Sequence, residues 1–103
     1  MASPTQRTID LLRLRGYPLV QVVEHWNPFA RVRQDLFGVL DVLAVGQDII
    51  GVQTTSGSNT AARVRKLEQS EALPVLKAAG VRVVVHGWCK LQGRWKLREV
   101  DLS

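Results

Sequence analysis

One cysteine, two histidines and one methionine are all that this 103-residue sequence offers to thiol or soft-metal chemistry. Cys89, being alone, excludes an internal disulfide and a cysteine-rich zinc site, and fits a reducing cytoplasm. His25 and His86 lie far apart in sequence, and neither stands at a readable spacing from Cys89. Packing or surface roles are therefore expected for the two histidines, and a buried thiol for Cys89. No hydrophobic run approaches the roughly 20 apolar residues of a membrane span. Met1-Ala2-Ser3-Pro4 lacks the basic segment and apolar run of a signal peptide. Repeats and low-complexity tracts are absent, and no nucleotide cofactor or membrane partner is expected.

Apolar residues make up 46% of the chain, enough for a real core in one domain spanning 1–103. The net charge is +5, which makes a polyanion such as nucleic acid the default partner of a small basic domain. The bland alternative is a merely soluble surface.

The richest stretch is Gly38-Val39-Leu40-Asp41-Val42-Leu43-Ala44-Val45, a turn at Gly46-Gln47-Asp48, then Ile49-Ile50-Gly51-Val52-Gln53-Thr54-Thr55. It reads as two apolar strands. Counting from the turn, Val45 faces Ile49, Leu43 faces Gly51 and Asp41 faces Gln53. Directly opposed side chains have Cβ atoms about 4.5–5.5 Å apart, so a carboxylate and a carboxamide meet inside an apolar hairpin. Such burial is costly unless the groups are satisfied or used.

Around the hairpin, Ser3-Pro4-Thr5-Gln6 opens a helix with a serine cap, proline at the first helical position and a capping-box glutamine. Gly16 ends it. Tyr17 to Trp26 reads as one strand, with Val20, Val22, Glu24 and Trp26 on one side, and Asn27-Pro28 breaks it. Phe29 to Gln34 is a basic connector containing Arg31 and Arg33. Ser56-Gly57-Ser58-Asn59 leads into a helix from Thr60 to Gln69, and Pro74 calls for a separate short helix ending at Gly80. Val81 to Lys90 is a β-branched strand of the kind covered on both faces. A turn at Leu91-Gln92-Gly93-Arg94 returns the chain through Trp95 to Leu102. The runs Leu19–Val23 and Leu36–Val45 are expected in the core; an exposed one would suggest edge pairing into a homodimer.

This order, α-β-β-β-α-β-β, with Gly38-x-x-Asp41 on one strand and the triplet Gln53-Thr54-Thr55 on the next, resembles the PD-(D/E)XK, or restriction-endonuclease-like, nuclease superfamily. The hairpin is most similar to that of Holliday junction resolvases. It also resembles small uncharacterised phage and prophage proteins with an Asp-Leu-Phe-Gly…Asp…Gln-x-Thr-Ser pattern, here Asp35-Leu36-Phe37-Gly38, Asp41 and Gln53 to Ser56. The resemblance implies an α/β fold with a central mixed sheet flanked by helices. It implies a phage-type DNA-processing protein: a divalent-metal-dependent endonuclease or resolvase-like enzyme hydrolysing phosphodiester bonds, commonly a homodimer.

In that chemistry two strand carboxylates hold Mg2+ or Mn2+ and a lysine two residues beyond the second acid stabilises developing negative charge. Asp41 matches the first acid. Gln53 stands where the second acid belongs and Thr55 where the lysine belongs. The resolvases place a glutamate on the first helix, and Thr5 to Asp10 contains none. Glu24 is the replacement oxygen ligand if its strand neighbours Asp41. Lys66 and Arg63, on one helix face, are the replacement cations. Asp35, six residues before Asp41, is roughly 20 Å away along a straight strand; a bulge at Gly38 shortens that. Arg31, Arg33, Thr55, Arg63, Lys66, Lys90, Arg94 and Lys96 are the expected nucleic-acid contacts.

The plain alternatives stand beside these. Asp41 is then a structural carboxylate, Glu24 a solvent-facing residue at a strand end, and Lys66 and Arg63 solvated helix charges. Trp88 is expected in the core, while Trp95 fits either a base-stacking or a packing role. At the level of function the alternatives are a catalytically inactive nuclease fold acting as a DNA-binding or assembly module, and a homo-oligomeric structural protein.

Overall fold

The computed structural model describes residues 2–103. Helix α1 spans Pro4–Leu14; Ser3 Oγ accepts a hydrogen bond from the Gln6 amide at 3.1 Å, and Thr8, Ile9 and Leu12 form its buried face. Strands β1 (Leu19–Val22), β2 (His25–Asn27), β3 (Val32–Gln34), β4 (Val42–Val45) and β5 (Ile49–Ser56) follow. A 3-10 turn at Gly57–Asn59 leads into α2 (Thr60–Glu68) and α3 (Ala72–Ala78), and β6 (Val81–Leu91) and β7 (Arg94–Asp101) complete the chain. Pro74 sits in the first turn of α3, where its missing N–H costs no helical hydrogen bond.

The main sheet has the order β1-β4-β5-β6-β7, with only β5 and β6 parallel. It is a mixed five-stranded sheet with helices on both faces, so the expected α/β class and layering hold at that level. Its central strands are apolar on both sides. Ile9 and Leu12 of α1 pack on Val42, Ala44, Ile50, Val52 and Val84. Leu67 of α2 and Leu73 of α3 pack on Leu40, Val83 and Val85. The register Val45↔Ile49, Leu43↔Gly51 is the one counted from the Gly46-Gln47-Asp48 turn.

Two expectations fail before the hairpin. The single strand from Tyr17 to Trp26 is split after Val22, because β2 leaves the main sheet and pairs with β3 as a separate two-stranded ribbon. The basic connector therefore contains a strand. Asn27 Oδ1 accepts from the amides of Phe29 (2.9 Å) and Ala30 (3.1 Å), a local turn that folds the chain back. The run Leu19–Val23, expected in the core, instead supplies the edge strand β1, with Leu19 and Val22 exposed.

Under α1 a polar chain crosses the core. Trp88 Nε1 donates to Thr8 Oγ1 at 3.0 Å; that hydroxyl lies 3.0 Å from His86 Nδ1; His86 Nε2 lies 2.7 Å from Glu99 Oε2, which also accepts from Arg15 at 2.7 Å. An ionised carboxylate can only accept, so His86 carries a proton on Nε2 and gives it to Glu99. Burial lowers the His86 pKa against the upward pull of Glu99. Burial also pushes Glu99 upward, but hydrogen bonds from Arg15 and His86 win and hold it below its ordinary value. His86 thus has the packing role expected of it, whereas Trp88, expected in the core, and Cys89 are only half-buried. Trp95 is half exposed, with the Arg7 guanidinium 3.8 Å over its ring.

Candidate metal and phosphate site

The site lies where the β4–β5 ladder ends. Beyond Val42 the Thr54 amide turns to a side chain: it donates to Asp41 Oδ2 at 2.8 Å. The same oxygen accepts from Gln53 Nε2 at 2.7 Å and from Thr54 Oγ1 at 3.2 Å. Asp41 and Gln53 are both buried. The Gln53 amide also donates to Asp35 Oδ2 at 3.2 Å, so one carboxamide bridges two acids.

Asp35 reaches this place by a tight reversal of the chain. Leu36 bridges to Leu40, Gly38 N donates to Asp35 O at 2.9 Å, and both Phe37 (φ 56°) and Gly38 (φ 74°) are left-handed. Residues 35–40 are a turn, not the strand with a bulge that the sequence suggested. Glycine takes the left-handed conformation without penalty, so Gly38 permits the reversal. Burial first, then a hydrogen bond and repulsion from Asp41, raise the Asp35 pKa; the Gln53 amide and Lys66 pull the other way.

Glu24, in the link between β1 and β2, is the third acid. One carboxylate oxygen from each of Glu24, Asp35 and Asp41 lies within 4.8 Å of the others. Three carboxylates gathered this closely are the oxygen set that a shared hard cation requires. The donor set is oxygen only, which suits Mg2+ or Mn2+. Gln53 Oε1 is buried without a hydrogen-bond partner among the described residues.

Three cations face the three acids. Arg33 Nη1 is 3.2 Å from Glu24 Oε1, and Lys66 Nζ is 3.9 Å from Asp35 Oδ2. These residues, with Arg63, Thr5 and Thr54, line an open cavity of about 370 Å3. A second cavity, about 580 Å3, is lined by Arg15, Tyr17, Asp48 and Arg82. Its groups satisfy one another: Tyr17 donates to Asp48 at 2.6 Å and Arg82 pairs with Asp48 and Asp101.

The structure therefore brings Asp41, Gln53, Glu24, Lys66, Arg63 and Arg33 to one cavity. Two sequence expectations need correcting. Gln53 turns its amide nitrogen, not its carbonyl oxygen, to the acids, and the oxygen that neighbours Asp41 there is that of Asp35. Thr55 is buried and absent from the cavity wall, and Thr54 faces the cavity instead. Arg31 sits exposed in the β2–β3 turn. Lys90, Arg94 and Lys96 lie exposed on the part of the β6–β7 hairpin that runs beyond β5, whose last partner is Trp88. Six residues separate Val85, paired with Gln53, from Leu91, so the hairpin tip stands roughly 20 Å beyond the site. Thr54 and Thr5, joined through their hydroxyls at 3.0 Å, had no sequence signal. Asp35 had one in Phe37-Gly38.

No protein-family model, no curated protein and no solved structure matches this chain.

Proposed function

We propose that this chain is a divalent-metal-dependent nuclease of the restriction-endonuclease-like type, acting on DNA. The observation that carries this reading is the convergence of Glu24, Asp35 and Asp41 within 4.8 Å on an open cavity that Arg63 and Lys66 also line. Glu24, Asp35 and Asp41 would hold Mg2+ or Mn2+. Such an ion polarises a phosphodiester oxygen and lowers the pKa of an attacking water. Gln53 fixes the buried Asp41 and the half-buried Asp35 through its amide, and the Thr54 amide and hydroxyl hold Asp41. With three acids and three cations the wall is balanced by itself, so a divalent cation makes it net positive and complementary to a phosphodiester. Lys66 and Arg63, from α2, supply the charge that Thr55 cannot.

One observation favours a second reading, a DNA-binding module without catalysis: no lysine occupies the position two residues past Gln53, and Thr55 there is sealed in the core.

The test is Mn2+ added to wild type and to Asp41→Asn, reading thermal stability and nicking of supercoiled DNA. At a hundredfold excess over Kd a bound ion stabilises by about 2.7 kcal/mol. The wild type should gain that stability and nick, and the variant should gain none and nick about 100-fold more slowly. Metal binding without nicking supports the binding module. No metal effect on the wild type sinks the site.

A further inference from the structure

The ribbon of β2 and β3 grows directly out of the acid cluster. Glu24 precedes β2 and Asp35 follows β3, so the base of the ribbon holds two of the three carboxylates. Its register pairs Trp26 with Arg33. Alternation then puts Trp26 and Arg33 on the ribbon face that carries Glu24 and Asp35. The Arg33–Glu24 ion pair and the shared cavity wall agree with that assignment. Trp26 is 56% exposed and lies two residues, about 7 Å, beyond Glu24. At the turn Phe29 is 97% exposed. Between Glu24 and Asp35 the sequence contains no acid but holds Arg31 and Arg33.

Trp26, Phe29 and Val32 are all exposed on this one short ribbon, and apolar side chains gathered in a patch, unlike single scattered ones, mark an interaction surface. Trp26, interleaved with arginines beside a cavity that Arg33, Arg63 and Lys66 help to line, matches the stacking-plus-charge pattern used on single strands. An indole can stack only on a base whose face is free, and duplex base faces are already covered by their neighbours.

We infer that the β2–β3 ribbon is a stacking platform for single-stranded or locally unpaired DNA, with a base on Trp26 and the backbone led by Arg33 into the acid cluster. This rests on the nuclease reading for the direction of the strand, while the platform itself is tested without metal.

The experiment measures equilibrium binding of a fluorescent single-stranded oligonucleotide, and of the same sequence as a duplex, in EDTA at fixed salt. The proteins are wild type, Trp26→Ala, Trp26→Phe and Arg33→Ala, with circular dichroism confirming that each is folded. Wild type should bind the single strand about tenfold or more tighter than the duplex. Trp26→Ala should lose about 5- to 100-fold on the single strand alone, and Trp26→Phe should recover most of that. Arg33→Ala should weaken both and lower the salt slope by about one. Equal affinity for both DNAs, no binding to either, or wild-type affinity in Trp26→Ala overturns the platform. So does concentration-dependent self-association abolished by Trp26→Ala, which would make the ribbon an interface between copies of the chain. Because no metal is present, loss of the platform leaves the Mn2+ result intact, and a failed Mn2+ experiment leaves the platform standing.

Discussion

Asp35 shows how much one carboxyl can record about a site. Facing it are Asp41 and Glu24 as acids, Lys66 and Arg33 as cations, and the Gln53 amide as a donor. Burial and Asp41 raise its pKa despite Lys66 and Gln53. A carboxyl whose folded pKa is raised binds its proton more tightly in the native state than in the unfolded chain. Its favourable contribution is therefore complete below the unfolded pKa and lost as pH rises through the folded one. Urea titrations across the acid range should show Asp35→Asn gaining on the wild type as pH rises, and the variant should be the more stable at neutral pH without metal. Adding Mn2+ should reverse that order, because the ion stabilises only the protein that keeps the carboxylate. A structural acid with no ligand role would show the first effect and not the second. The burial of this carboxyl beside a second acid is thus a cost held in the folded state, and such perturbed groups cluster at functional sites.

At the scale of elements, close approach decides where the helices sit. A Cβ at Gly87, in β6, would lie 1.8 Å from Thr60 Oγ1 and 3.3 Å from the Gly57 Cα. No side chain fits there while the start of α2 rests on β6, and α2 carries Arg63 and Lys66. Gly87→Ala should cost about 1–3 kcal/mol, read as a lower urea midpoint at unchanged slope. It should also slow nicking by shifting Lys66 and Arg63 in the cavity. The β4–β5 hairpin was legible in advance because a three-residue turn and strict alternation leave one register that buries Val42, Ala44, Ile50 and Val52. The split between β1 and β2 was not. Glu24 and Trp26 continue the alternation of β1, and nothing local to Val23 announces that its amide will donate to Asp41 O (2.8 Å) while the next residues leave the sheet.

For the whole molecule, the net charge is +5, and two of its cation groups matter here: Arg31, Arg33, Arg63 and Lys66 on the cavity and ribbon, and Lys90, Arg94 and Lys96 on the projecting β6–β7 hairpin. If Arg31, Arg33, Arg63 and Lys66 are the contacts, about four phosphates are neutralised and log K should fall against log salt with a slope of roughly −3 for a single strand. A slope well beyond that would bring in Lys90, Arg94 and Lys96. A slope near zero would return the charge to a solubility role. Among the described residues no helix is long and apolar enough to cross a membrane. The edge strand β1 leaves Leu19 and Val22 exposed, the geometry in which edge pairing between copies becomes available.

The sequence by itself determined what depends on neighbours along the chain. The serine-capped first helix, the hairpin register that opposes Asp41 to Gln53, and the Pro74 break are short-range, set by alternation, caps and turn chemistry. Tertiary structure alone decided which acids meet. Glu24 and Asp35 come to Asp41 only because a ribbon departs from the sheet and a left-handed turn at Phe37-Gly38 folds the chain back. Both require the packed core beneath them, and no periodicity in the sequence encodes a contact between residues whose intervening chain first leaves and then returns.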